Sequence, residues 1–329
     1  MSIDDVNHAR YRAQPAGHYE SFFQRANHPT RPLAFWIRYT VFSPAGRPEA
    51  AIGELWAVVF DGERRRHVAV KREVPIARCR FATDAFDVAV DDARLGPGRL
   101  TGAAACDGRA IAWDLGFRAT APPLFLLPDR LYAARLPRAK SLVGAPLARY
   151  DGSVTVNGET IAVDDWIGSQ NHNWGSRHTD LYAWGQVAGF DTHPESFLEV
   201  ATARLRFGPV WTPAMTLLVL RHRGREVALN RLGRALRARA AFDYTSWTFA
   251  SAGDGVRVEG RIGAPRDAFV GLRYLNPPGG TKACLNTKIA ACELRVTRRG
   301  GAPEILRTAH RAAFEVLTDA TDHGVPLAC

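Results

Sequence analysis

The chain has 329 residues, 46% of them apolar, and a formal net charge of +10 carried mostly by arginine. That length holds one large β domain or two ordinary ones, and the apolar share is that of a globular protein. No run approaches the roughly eighteen consecutive apolar residues of a membrane-spanning helix, which excludes that class.

The N-terminus, MSIDDVNHARYRAQPAGHYE, lacks the basic and apolar regions of a secretory signal, so a cytoplasmic location is expected. The positive charge leaves room for a peripheral contact with anionic membrane. Basic residues are dense only near 63–67 and 221–239, without zinc-finger spacing, an RNP-type aromatic motif or a helix-turn-helix pattern. Nucleic acid is therefore not an expected partner. The five cysteines (Cys79, Cys106, Cys284, Cys292 and Cys329) form no CxxC pair and are odd in number. They read as buried or free thiols, all reduced, rather than as a disulfide framework or a zinc knuckle. The oligomeric state is not legible.

Two-residue alternation dominates the chain. In 34–42 (AFWIRYTVF), Trp36, Arg38, Thr40 and Phe42 share one face. Turn-rich 43–49 follows, then 52–60 (IGELWAVVF), so the pair reads as a hairpin. With the turn centred near Gly46, Trp36 falls opposite Trp56 and Arg38 opposite Glu54, a structural ion pair under a tryptophan pair. Further strands are expected at 67–73, 99–105, 110–119, 152–156, 181–190, 197–207, 216–221, 246–250, 256–262 and 290–297. Helical periodicity is strongest at 231–241, an arginine-studded segment. Residues 122–149 carry several prolines and no alternation, and read as a long connector packed across two barrels. The chain is divided there into 1–149 and 150–329. The expected class is all-β, with antiparallel barrels or sandwiches and little helix.

Familiar catalytic signatures are absent: there is no GxSxG, HExxH, Walker A or CxxC motif. His172 and His178 are poorly spaced for metal ligation on a helix or a strand. No cofactor and no metal is expected.

Several short stretches resemble one known superfamily. They are His18-Tyr19-Glu20-Ser21-Phe22-Phe23, Ala34-Phe35-Trp36-Ile37-Arg38-Tyr39, Gly53-Glu54-Leu55-Trp56-Ala57, Gln170-Asn171-His172-Asn173-Trp174-Gly175, Tyr182-Ala183-Trp184 and Asn286-Thr287-Lys288-Ile289-Ala290. The chain is similar in these to the lipocalin-like carotenoid 1,2-hydratases (hydroxyneurosporene synthases), tocopherol cyclases and AttH-type proteins, to which cofactor-independent Diels–Alderases are related. The resemblance covers nearly the whole chain, and the His-Asn-Trp-Gly element with its preceding glutamine is its most specific part. It implies two tandem lipocalin-like β-barrels holding a hydrophobic small molecule between or within them. It leaves the reaction open, because one fold hosts several.

The residues themselves agree on a cavity. In 181–190 one face carries Tyr182, Trp184, Gln186, Ala188 and Phe190; in 197–207 the apolar face carries Phe197, Glu199, Ala201, Ala203, Leu205 and Phe207. Glu199 is thus expected to face inward, where desolvation raises its pKa and keeps it protonated near neutrality. A carboxylic acid there can protonate an alkene, as hydration or cyclisation of an isoprenoid requires. Trp174, Trp184 and Tyr182 would stabilise the cation, with Gln186, Phe197, Trp36 and Trp56 completing the substrate wall. The resemblance associates hydratases with an acidic residue after an aromatic on this strand; Phe197-Leu198-Glu199 fits by type, with Phe for Tyr and Glu for Asp.

The stretch DWIGSQNHNWGSRH (165–178) is read as a sharp turn allowed by glycine and amides, with His172 and Trp174 projecting to one side. Two readings of His172 stay open, a satisfied structural histidine and a catalytic one sharing a cavity with Glu199. The leading function is a cofactor-independent enzyme that hydrates or cyclises a polyene or isoprenoid-like substrate by acid catalysis. The alternatives are a lipid or pigment carrier and a pericyclic cyclase of a polyketide-type substrate.

Overall fold

The computed structural model describes residues 2–328, so Cys329 and its expected free thiol lie outside the described residues. The chain opens with a meander of β1 (His18–Asn27), β2 (Leu33–Ser43), β3 (Ile52–Asp61) and β4 (Arg66–Pro75). Short strands β5 (Cys79–Phe81), β6 (Val88–Val90) and β7 (Ala93–Gly96) lead to β8 (Arg99–Cys106) and β9 (Arg109–Arg118). After β10 (Leu124–Phe125), a long hairpin of β11 (Ala139–Val156) and β12 (Glu159–Gly175) inserts between β9 and β1. β4 returns alongside β8 and β9, so this first sheet is a nearly closed antiparallel barrel.

The second sheet begins with β13 (Leu181–Ala188) and β14 (Phe197–Arg204), followed by a separate ribbon of β15 (Arg206–Phe207) and β16 (Val210–Trp211). It continues through β17 (Met215–His222), β18 (Arg225–Leu229), β19 (Arg239–Phe242), β20 (Ser246–Gly253), β21 (Val256–Gly263) and β22 (Val270–Leu275). The long hairpin β23 (Thr281–Arg298) and β24 (Glu304–Thr318) and the short β25 (Leu327–Ala328) complete it. Its main order is β18-β17-β14-β13-β24-β23-β21-β20-β19. Among the described residues the α-helices are single turns at Ile3–Val6, Arg130–Ala133 and Leu232–Ala235. The expected all-β class, two lipocalin-like barrels in tandem with little helix, is the observed one.

Each barrel has its own apolar interior, with Phe22, Phe35, Tyr39 and Trp113 in the first and Leu198, Trp247, Leu294 and Phe314 in the second. Two further apolar clusters lie where the sheets face each other. Trp36, Trp56, Val58, Leu272, Tyr274 and Leu317 form one. Leu124, Leu126, Ile167, Phe197 and Val219 form the other, in which residues after β9 pack against both sheets. Strands at this contact are covered on both sides, and β1 is buried at every position.

The structure corrects several sequence readings. Trp36 pairs with Val58, Arg38 with Trp56 and Thr40 with Glu54, two residues off the expected register. A 3-10 turn at Pro48–Ala50 moves the centre of the hairpin one residue later. A two-residue slip leaves every side chain on its face, but it takes Arg38 away from Glu54, which pairs with Lys71 at 2.6 Å. The segment 165–175 is no sharp turn: it runs inside β12 between β1 and β11. Its glycine serves close packing instead, since a Cβ on Gly168 would lie 1.8 Å from the Arg25 carbonyl oxygen.

The connector ends earlier than expected, because β11 starts at Ala139 and takes Pro146 at a bulge. Residue 149 therefore lies within β11, and the change of sheet falls between Gly175 and Leu181. The expected helical segment is one turn followed by β19. Cys79, Cys284 and Cys292 are free thiols, but Cys106 is disulfide-bonded, so not all five cysteines are reduced. Among the described residues no helix is long and apolar enough to cross a membrane.

Candidate functional site

The contact between the sheets gathers an unusual density of buried polar groups, with Glu199 at its centre. On the second sheet Gln186 stands opposite Glu199, Trp184 opposite Ala201 and Tyr182 opposite Ala203, all on the face turned to the first barrel. Glu199 is 2% exposed. Trp184 Nε1 donates to its Oε1 and Gln186 Nε2 to its Oε2, each at 2.7 Å. Gln186 is itself fully engaged: its Oε1 accepts from Arg25 Nε at 2.8 Å and from Ser169 Oγ at 2.6 Å, while Nε2 also donates to Asn171 Oδ1. The amide thus links the Arg25 cation to the Glu199 carboxyl.

Burial pushes the Glu199 carboxyl up to about 7; the bonds from Trp184 and Gln186 and the charge of Arg25 pull the other way without overcoming it. Trp184 and Gln186 both donate to the carboxyl, so when it is protonated its O–H has no acceptor in either of them and stays available. On the same face of β13, β14 and β17, Tyr182, Trp184, Ala201, Met215 and Leu217 are partly exposed, a strip of mainly apolar character. Toward β23, Lys288 Nζ donates to Glu315 Oε1 at 2.7 Å and lies 5.4 Å from the Trp184 ring and 5.6 Å from that of Trp36.

Further along the same layer the Arg38 guanidinium sits over the Tyr274 ring at 4.3 Å, and its Nη2 donates to Ser21 Oγ at 2.6 Å. Arg38 Nε, Trp36 Nε1 and Trp56 Nε1 are buried and find no acceptor among the described residues. Three unmatched donors in one apolar cluster are costly unless a ligand or water supplies oxygens.

The structure brings Glu199, Trp36, Trp56, Tyr182, Trp184, Gln186 and Phe197 into this layer. It leaves out His172 and Trp174. Both do project to the same side, with ring centroids 4.8 Å apart, but there His172 meets the first barrel's core at Phe22 and Trp174 packs with Val6 and Leu142. There His172 Nε2 meets Glu20 Oε1 at 2.8 Å, Nδ1 meets the Val6 carbonyl at 2.9 Å, and the ring stacks on Phe22. Its neighbour Asn171 faces the opposite way, toward Gln186. His172 and Glu199 therefore do not share a cavity. Gly189, at φ +73, likewise breaks the alternation after Ala188 and sends Phe190 into the second barrel's core.

His172 is one arm of a closed network. Glu20 also accepts from His18 Nε2 at 3.1 Å and from the backbone N–H groups of Arg10 and Tyr11. Burial pushes Glu20 up, yet the bonds from His172 and His18 prevail and hold it at about 2. Desolvation lowers the His172 pKa against the pull of Glu20. This arrangement anchors the N-terminal segment over the barrel mouth, and Arg10 lies 3.9 Å above the Trp174 ring. Sequence reasoning gave no site role to Arg25, Arg38, Lys288 or Glu315, because isolated charges on strands read as solvated or as structural pairs.

The chain matches no family model. It is 28% identical over 298 residues to an uncharacterized protein of Mycobacterium tuberculosis, covering 90% of this chain and 85% of the relative. Its fold is similar to that of an AttH-type protein from Nitrosomonas europaea, with a TM-score of 0.56 and 11% identity over 92% of this chain and 91% of the other. It is equally similar to kievitone hydratase from Nectria haematococca, with a TM-score of 0.59 and 13% identity over 94% and 91%. CghA, solved with Sch210972, follows with a TM-score of 0.54 and 14% identity over 93% and 89%. The molecule has the tandem lipocalin-like fold of the AttH-type proteins. One protein of that fold is by name a hydratase, and identities this low carry over the fold alone.

Proposed function

We propose that the protein is a cofactor-independent enzyme that hydrates or cyclises a hydrophobic unsaturated substrate, with Glu199 as the proton donor. One observation carries this reading: a buried carboxyl near 7, held by two donors on the sheet face that also carries the partly exposed Tyr182 and Trp184 rings. The alkene π electrons take the Glu199 proton and leave a carbocation and a carboxylate. Water, or a second double bond, adds to the cation, and the proton then lost returns to Glu199, so the acid is regenerated. Gln186 fixes the carboxyl, and Arg25 offsets the charge that develops when the proton leaves. The Trp184 and Tyr182 rings border the strip where the cation would form.

The unmatched donors of Arg38, Trp36 and Trp56 favour a substrate with an acceptor oxygen beside its apolar body. The same donors support a second reading, a pericyclic cyclase in which they polarise a carbonyl. Turnover in deuterium oxide separates the two. Proton transfer to carbon puts solvent deuterium into the product and is abolished by Glu199→Gln, whereas a pericyclic closure takes up no label and tolerates that change. Tight binding with no turnover of either kind would leave a carrier.

A further inference from the structure

Three side chains that the proposed chemistry does not use meet at one end of the second barrel. His193 lies in the turn between β13 and β14, His222 ends β17, and Glu304 opens β24. One ligand atom from each lies within 4.8 Å of the others. His193 Nε2 is 3.1 Å from Glu304 Oε1, His222 Nε2 is 3.0 Å from Oε2, and the two imidazoles stand edge to face.

The outer nitrogens of both imidazoles are held by hydroxyl groups. His222 Nδ1 lies 2.8 Å from Ser196 Oγ. In the tautomer that carries its proton on Nδ1, a neutral His222 turns the Nε2 lone pair toward the Glu304 carboxylate. A metal ion can bridge that lone pair and the carboxylate oxygen. His193 Nδ1 likewise rests 3.0 Å from Thr192 Oγ1. Imidazoles held through Nδ1 by an outer oxygen, with Nε2 presented inward, are oriented as metal-bound histidines are.

We infer that His193, His222 and Glu304 form a binding site for a divalent transition-metal ion, best matched by zinc. Two imidazoles and a carboxylate are zinc donors and leave a fourth position for water, whereas calcium and magnesium prefer oxygen alone. His222 is fully buried and preset; His193 and Glu304 are partly exposed and give the ion a route in. The Arg223 guanidinium pairs with Glu304 and competes for it, and it is exposed enough to swing aside. The bound ion would tie the β13–β14 turn, the end of β17 and the start of β24 together.

The test uses tag-free, chelator-treated protein titrated with zinc in a calorimeter and with cobalt in a visible spectrometer. One equivalent should bind with a dissociation constant of micromolar or below, release protons and raise Tm. His193→Ala and Glu304→Gln should weaken binding by about a hundredfold or more. His222→Ala should do the same, and if that variant fails to fold the other two decide. Arg223→Ala should tighten binding by up to about fivefold, the worth of one exposed ion pair. Absence of saturable binding, or binding that His193→Ala and Glu304→Gln leave unchanged, would overturn the assignment.

Discussion

Trp184 donates its indole N–H to Glu199 Oε1 over 2.7 Å, and the same ring belongs to the partly exposed strip on that sheet face. The acidity of the proposed proton donor is therefore tied to a ring of the strip beside it. Trp184→Phe keeps an aromatic surface and removes the donor. A hydrogen bond to a charged group is worth about 1.5–3 kcal/mol, so the Glu199 pKa should rise by about one unit or more. In a pH–rate profile, the pH at which turnover is half lost should move up by that amount. An unchanged midpoint would show that another group titrates.

Glu199 also makes stability depend on pH in a direction that can be checked without a substrate. It titrates near 7 in the fold, against an ordinary value of 4.5. The native state thus binds more protons than the unfolded chain between these values, and stability declines as pH rises through the window. The whole difference is on the order of 3 kcal/mol. Glu199→Gln has no charge to bury, and its unfolding free energy should stay nearly flat where that of the parent falls. Urea unfolding at about pH 5 and about pH 8 measures both.

Glu20 behaves in the opposite sense. Held at about 2, it contributes stability that is present above 4.5 and lost as pH falls toward the folded value. Glu20→Gln and His172→Ala each break a buried pair and should cost about 3–5 kcal/mol at neutral pH. The N-terminal segment should become sensitive to protease in both variants. A His172→Ala protein with normal Tm and no turnover would revive the catalytic reading of this histidine.

The cysteines offer a chemical count. With Cys106 disulfide-bonded, thiol titration in denaturant without reductant should return fewer than five, and reductant should restore five. Among the free thiols of the native protein, half-buried Cys79 should react first, because Cys284 and Cys292 are buried. Five thiols before reduction would exclude the disulfide.

The alternation of apolar residues at 34–42, 52–60, 181–190 and 197–207 by itself determined the all-β class and which side chains share a face. That is why Glu199, Trp184, Gln186 and Phe197 group together on sequence grounds alone: a strand repeats every two residues wherever it pairs. It also determined that a carboxylate on an apolar face would have a raised pKa. It could not determine which of two apolar interiors a face meets. His172 and Asn171 are adjacent in the chain, yet one points into the first barrel and the other toward the second sheet. β1 shows no clean alternation in sequence because His18, Glu20, Gln24 and Arg25 are polar, and these are buried only because partners arrive from other strands. Arg25 is matched by Gln186, Glu20 by His172, and Lys288 by Glu315. Such pairings span a hundred residues or more or cross a sheet face, leave no periodic trace in the sequence, and exist only once two curved sheets pack together.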